Sequence, residues 1–367
     1  GEERPWLSQA DYQTVVDAAA ANFAGYDTGG QPGNGAQETE NYLVRLDWQI
    51  NDQHALTGIY NYYDGFQTRS SDSDPNEFEF ANHFYTKGSE SKTSTIWLDS
   101  QWTDAFSTQF YYTDTRMNDS QVTVGPKDIG DHQISMGRNT IYLGADDSRQ
   151  ANRLFTDASL LKLSGKWLAG NHVFSAGYER EELEVFNLFV QHSRGGEWDY
   201  WDDSGTNPAA CDALDSQGRF DDSQLDDLDP AKIGCGTSGI DKFVLGRPAR
   251  VYYGSGGGTN DPNDAAANFL NVKNSLYVQD EIYFPSSDFT LVAGLRFDWI
   301  RSDDTPNYNE NLSNAIGIRN DTGLDGLSVL MPRVGFNWGI RDDLTLRGGV
   351  GLFSGGNPNV WLSNAWS

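Results

Sequence analysis

The sequence predicts an all-β chain, part of a transmembrane antiparallel β-barrel. Three observations predict it. Strand-length segments alternate apolar and polar residues, pairs of such segments are joined by turns of a few residues, and the pairs are separated by long polar connections.

Alternation is clearest over 41–50. Tyr42, Val44, Leu46, Trp48 and Ile50 share one face, and Arg45, Asp47 and Gln49 the other. Period two of this kind marks a strand with one apolar face. Asn51-Asp52-Gln53 supplies turn residues, and Leu56, Gly58, Tyr60 and Tyr62 continue the apolar face on the way back. The unit recurs. Ile96, Leu98 and Trp102 lead through a turn at Asp104-Ala105 to Phe110 and Tyr112. Leu161, Leu163, Gly165 and Trp167 lead through Ala169-Gly170-Asn171 to Phe174, Ala176 and Tyr178. A strand over Leu276–Phe284 turns at Pro285-Ser286-Ser287-Asp288 and returns through Leu291, Ala293, Leu295, Phe297 and Trp299. Val334, Phe336, Trp338 and Ile340 turn at Arg341-Asp342-Asp343 and return through Leu344, Leu346, Val350 and Leu352.

These are five hairpins, or about ten strands. Each apolar stretch is roughly 9–11 residues, the length a tilted strand needs to cross a bilayer. Trp48, Trp102, Trp167, Trp299 and Trp338 sit toward strand ends, where an indole suits the membrane interface. A soluble sandwich would have connections of similar length at both ends. Here long connections run near 65–91, 118–153, 193–268 and 302–330, all on the side opposite the short turns. Outer-membrane barrels place such long loops outside the cell. Residues 1–40 lack alternation and are read as an extracellular loop. Within it, Ser8 followed by Asp11 caps an Ala-rich helix over Gln9–Phe23, and Gly29–Gly35 follows as loop. Residues 41–367 are read as the partial barrel.

Composition agrees. Only 37% of the 367 residues are hydrophobic, yet 13% are aromatic and 39 are glycine. Alternate residues facing a polar lumen, with aromatics at two interfaces, give this profile. No run of 18 apolar residues offers a helical span. The formal net charge of −27 argues against nucleic acid as a partner. Cys211 and Cys235 lie in the most polar stretch. In an oxidising compartment they form one loop-closing disulfide, and two free thiols are the alternative. Closing about 24 residues would contribute roughly 3 kcal/mol.

No catalytic constellation emerges, so the chain is not read as an enzyme. His54, His83, His132, His172 and His192 are scattered, and Gly254–Gly258 lacks the strand-to-helix setting of a phosphate loop. No cofactor is expected. The acidic cluster Asp221, Asp222, Asp226, Asp227 and Asp229 is either a solvated loop or a Ca²⁺ site, and the run Asp72, Asp74, Glu77 is equally unspecific. Arg45, Asp47, Arg296, Asp298, Arg333 and Arg347 are the candidates for lumen-facing contacts. Arg296 and Asp298 are expected to pair across strands.

Several stretches resemble TonB-dependent outer-membrane receptors, most closely the Oar-like group. They are Gly25-Tyr26-Asp27-Thr28-Gly29-Gly30, Arg45–His54, Leu276–Glu281, Ala293–Asp298, Pro332–Phe336, and Leu346–Phe353 running into Pro358-Asn359-Val360-Trp361. They span most of the chain, leaving out the long loops. The resemblance implies a Gram-negative outer membrane, a 22-stranded barrel, a lumen plug, and a box that binds TonB across the periplasm. Plug and box are not among these residues, so the chain is read as an internal barrel segment with its lipid-facing wall. Its TonB contact would lie in parts outside the chain. The implied activity is TonB-driven import of a peptide, glycan or metal chelate. An adhesin or scaffold whose long loops bind surface proteins, and a passive porin, are the other readings.

Overall fold

The computed structural model describes residues 4–204, 237–356 and 359–366. In chain order its strands are β1 (Gln37–Asn51), β2 (His54–Arg69), β3 (Glu77–Glu79), β4 (Tyr85–Thr103), β5 (Phe106–Thr123), β6 (Asp131–Met136), β7 (Asn139–Leu143), β8 (Asn152–Ala169), β9 (His172–Phe189), β10 (Glu197–Tyr200), β11 (Arg250–Tyr252), β12 (Ala267–Phe284), β13 (Phe289–Arg301), β14 (Ser328–Arg341) and β15 (Leu344–Gly351). The helices are α1 (Gln9–Asn22), α2 (Gly239–Val244), α3 (Glu310–Ile316) and α4 (Asn359–Ser363).

Ten strands form one sheet in the order β1-β2-β4-β5-β8-β9-β12-β13-β14-β15, every neighbour antiparallel. The five expected hairpins are therefore all present. Their registers align one row of residues across nine strands: Trp48, Leu56, Leu98, Phe110, Leu163, Tyr178, Leu276, Phe297 and Leu330. Every member is apolar or aromatic. The row one residue away is Asp47, Thr57, Trp97, Tyr111, Lys162, Glu179, Ser275, Asp298 and Val329, which carries the charges. A single-residue slip at any pair would mix the two faces, so the pattern fixes the register.

The apolar face is exposed. Leu46 is 71% and Trp48 61% accessible, and Trp102, Trp167 and Trp338 stand exposed beside the short turns. An apolar face crossing ten strands is far larger than the patches soluble proteins tolerate, whereas hydrocarbon accepts it. The turns follow local chemistry: Gly170 (φ +61) and Asp288 (φ +45) adopt left-handed backbone at two of them. Gly177 has a different reason. The Tyr277 ring lies against it, and a Cβ there would come within 2.5 Å of that ring.

Several strands are longer than the bilayer requires. β4 has 19 residues and β5, β8, β9 and β12 have 18 each. At roughly 3.3 Å per residue they extend well past the hydrocarbon on the long-connection side. The connections run over 70–84, 124–151, 190–266 and 302–327, so the first, second and fourth are shorter than the alternation alone implies and the third is shifted. The first strand also begins at Gln37 instead of residue 41.

The larger departure is what three of these connections do. Instead of separate loops, they build a second, five-stranded sheet in the order β11-β10-β6-β7-β3, with parallel pairs β6–β10 and β3–β7. We call this unit the cap. Helices α1 and α2 pack on it. Val15, Ala19, Phe80, Ile134, Ile141, Leu143 and Phe243 are fully buried there. The main hydrophobic core thus lies in the cap, with a smaller cluster of Val185, Ala267 and Phe269 on the upper sheet. Both helices start the same way. Ser8 accepts from the Asp11 amide at 3.1 Å and donates to its carboxylate at 2.6 Å, and Ser238 does the same for Asp241 at 3.1 and 2.7 Å.

Candidate functional site

The six charged residues singled out from the sequence all lie on the polar face. Arg45 Nε donates to Asp47 at 2.8 Å along β1, and Thr57 donates to the same carboxylate at 2.7 Å. Arg333 reaches Gln279 at 2.8 Å and Arg347 reaches Asn337 at 2.9 Å. Arg296 is the hub of the wall. It donates to Asp298 at 2.7 Å, Glu179 at 2.8 Å and Ser275 at 2.7 Å. The expected cross-strand pair of Arg296 with Asp298 is thus a same-strand pair. Residues two apart on a strand point to one face, and an arginine fork spans that distance. The partner from another strand is Glu179, which Lys162 also approaches at 3.6 Å. These side chains brace one another across β8, β9, β12 and β13.

A second feature is a cleft of about 740 Å³ in the cap, between the start of α1 and the β2–β4 connection. Tyr12, Gln31, Asp72, Glu77, Phe78 and Glu79 are among its lining residues. Arg4 closes one end by donating to the Glu77 carbonyl at 2.8 Å. Polar edges beside Tyr12 and Phe78 give the cleft both hydrogen-bonding groups and aromatic faces.

Beneath this cleft lies a buried charge cluster that the sequence did not reveal. His83 is fully buried. Burial opposes its charged form, but Asp131, Asp72, Glu79 and Asp146 together outweigh that and push its pKa up to about 9. Burial raises Glu79 to about 7, against the pull of His83. Asp131 is raised well above the ordinary carboxylate range by burial, again opposed by His83. Next to the cluster, Asp147, His192 and Glu197 form a second histidine–carboxylate group. Elsewhere in the cap core, burial holds His132 neutral, with its pKa lowered to about 3. His132 stacks with Trp198 and faces the Tyr200 hydroxyl at 3.3 Å.

These groups were invisible in sequence because 48 to 63 residues separate His83 from Asp131 and Asp146. Of the run Asp72, Asp74, Glu77, only Asp72 joins His83. Glu77 instead accepts from the Asp74 amide at 2.8 Å. His54 and His172 stay at their short turns, where His172 pairs with Asp280 at 2.7 Å. Gly254–Gly258 forms an irregular turn. Cys211, Cys235 and the acidic cluster Asp221, Asp222, Asp226, Asp227 and Asp229 lie outside the described residues.

Fold and faces together define a membrane-embedded β-barrel wall carrying a folded cap. Residues 9–366 match the model of the outer membrane beta barrel domain, and the chain belongs to that family. It is a protein of the Gram-negative outer membrane. No curated protein matches the sequence. Among solved structures it is similar to the FrpB iron transporter of Neisseria meningitidis (F3-3 variant), with 10% identity and a TM-score of 0.46, over 86% of this chain and 36% of that one. It is also similar to P. aeruginosa FpvA bound to heterologous pyoverdines, with 12% identity, a TM-score of 0.45, and coverage of 86% and 35%. A third is the siderophore receptor PirA from Acinetobacter baumannii, with 12% identity, a TM-score of 0.42, and coverage of 88% and 34%. The chain spans little more than a third of the length of these proteins.

Proposed function

We propose that this chain is the ligand-recognising part of an outer-membrane receptor that imports a bulky substrate, with energy delivered through TonB by parts outside the chain. The observation that carries this reading is the cap. Three connections and the N-terminal helix are spent on a unit with its own core, and that unit presents a polar, aromatic-edged cleft on the long-connection side. A passive porin works through an open water-filled channel, which a folded unit at that end does not serve. The braced polar wall around Arg296 suits a lumen whose inner surface must hold its shape against a plug. The motifs shared with the Oar-like group favour peptide or protein cargo over a small chelate.

The test is uptake. Cells carrying the intact receptor take up labelled candidate peptides, glycans and metal chelates, with and without TonB. The reading expects accumulation of one class, lost without TonB, and weakened binding when Tyr12→Ala and Glu77→Ala alter the cleft. TonB-independent behaviour for every ligand, with loop-dependent adhesion retained, would favour the surface-adhesin reading instead.

A further inference from the structure

Three residues from two connections meet beneath the cap cleft. Asp72 follows β2, His83 sits on the single helical turn before β4, and Asp146 follows β7. One imidazole nitrogen and two carboxylate oxygens from them all lie within 4.8 Å of one another. His83 Nε2 is 3.5 Å from Asp72 Oδ2 and 3.9 Å from Asp146 Oδ2. Both separations exceed an ordinary N–H···O bond.

The orientation of the ring is the decisive detail. His83 is fully buried, and its Nε2 has no hydrogen-bond partner among the described residues. Its Nδ1 lies 3.2 Å from the Gly144 carbonyl oxygen. A carbonyl only accepts, so Nδ1 carries a proton, and Nε2, aimed between two carboxylates, is the nitrogen that releases its proton when a metal binds. A backbone carbonyl holding the far nitrogen is also how proteins fix a metal-binding imidazole. Carboxyl groups outnumber the basic side chains around the ring. Glu79 Oε2 and Asp131 Oδ1 are buried without a hydrogen-bond partner. Asp131 lies 3.8 Å from His83 Nδ1. The nearby counter-charge is Arg149, 3.5 Å from Asp146 Oδ1.

We propose that Asp72, His83 and Asp146 bind a divalent first-row transition-metal ion of the zinc class. Metal–donor bonds of about 2.0–2.1 Å in a tetrahedron put donors roughly 3.3 Å apart, so the observed separations need only small side-chain shifts. One imidazole nitrogen with two carboxylates suits zinc, whereas Ca²⁺ takes oxygen donors throughout. Asp72 is the most exposed of the three, with 36% of its side chain accessible, and it also lines the cleft. Three protein ligands leave a fourth position, and Asp72 places it on the cleft side. The neighbouring Asp147, His192 and Glu197 do not carry the same argument. There His192 Nδ1 lies 3.0 Å from Glu197, an ordinary ion-pair distance, and its side chain is 22% accessible. The metal site stands independently of the import reading, since a clamp joining two connections would serve an adhesin equally.

The test uses the untagged full chain in detergent, stripped with chelator and titrated with zinc chloride by calorimetry. Metal content is measured after gel filtration. The wild type is expected to retain one more zinc equivalent than His83→Gln, with the affinity of that site lowered in the variant by at least the roughly 10- to 100-fold that loss of an outer-shell partner costs. Asp72→Asn, on the partly exposed ligand, keeps the cap folded and lowers affinity by about 10-fold. Equal zinc content and affinity in wild type and Asp72→Asn overturns the proposal, even if His83→Gln unfolds the cap. Calcium chloride binding at the His83 site more tightly than zinc overturns it as well.

Discussion

Leu163→Arg tests the assignment of faces directly. Leu163 is a middle member of the apolar row, between Phe110 on β5 and Tyr178 on β9. It stands six residues before Ala169, the last residue of β8 beside a short turn. At roughly 3.3 Å per residue that is about 20 Å along the strand, or about 15 Å along the membrane normal for a tilt near 40°. The apolar band of such a barrel is about 25 Å tall, so Leu163 sits close to the midplane. An arginine there costs about 2–4 kcal/mol, which lowers the folded-to-unfolded ratio roughly 30- to 900-fold. Ser164, one residue on, belongs to the polar face, in a row with Gln109 and Asp99. Ser164→Arg there stays within about 1 kcal/mol of wild type, since water and carboxylates solvate the new charge. Both variants would be folded into phosphatidylcholine vesicles and unfolded with guanidinium chloride, with tryptophan fluorescence as the readout. Equal loss in both, or a greater loss in Ser164→Arg, would refute the assignment of faces.

The other predictions concern the wall and the cap. Arg296→Met leaves Glu179 and Asp298 without their shared cation and costs about 1–3 kcal/mol in the same guanidinium assay; Arg296→Lys recovers only part, because one ammonium cannot reproduce a fork with three acceptors. Phe243→Ala empties a fully buried site in the cap core and removes about 3–5 kcal/mol from the cap. Protease then cuts within 124–151 and 237–266 while the ten-stranded sheet keeps its resistance. The pH dependence follows from His132, whose folded pKa of about 3 lies below its unfolded value. Its contribution is fully present above about pH 6.5 and is lost as pH falls toward 3, at about 1.4 kcal/mol per unit, or about 2 kcal/mol at pH 5. Hydrogen exchange over 131–143, corrected for intrinsic rates, would show a smaller loss of protection from pH 7 to pH 5 in His132→Phe than in wild type. Comparing the two proteins cancels the opposite contributions of His83 and Glu79.

What the sequence made legible follows from which solvent each residue meets. Lipid imposes period two over Val44, Leu46 and Trp48 and over the apolar row that Trp48 shares with Leu56, Leu98, Phe110 and Leu163, so the wall strands could be read one at a time. The Ser8–Asp11 cap of α1 was equally local. Where the strands rise above the bilayer the constraint lapses. Lys87-Gly88-Ser89-Glu90-Ser91 is polar on both faces, and such stretches looked like loop although β4 continues through them. The cap was illegible for another reason. β3 has three residues and β10 four, too few to show a period, and their partners lie in other connections. Phe78, Ile134 and Ile141 look like isolated apolar residues until the chain brings them together. His83 and its carboxylates depend on the same long-range pairing and were hidden with it.

That pairing also limits how the cap can change. β3–β7 ties the connection after β2 to the one after β5, and β6–β10 ties the latter to the one after β9. No single connection contains a complete sheet, and α1 completes the core from before the first strand. The cap therefore forms only when the wall strands from β2 to β12 are in register beneath it, and its long-range contacts close late in folding. Once formed, a shift in any one connection must either strain a parallel pairing or move the cap as a unit. Ligand specificity can consequently vary cheaply only at the cleft surface, at residues such as Tyr12, Gln31 and Glu77. Changing a core residue such as Phe80 or Ile141 would disturb three connections together. A clamp on Asp72, His83 and Asp146 acts at this same junction, joining the first two connections where β3–β7 already holds them and stiffening the wall of the cleft without touching the sheet below.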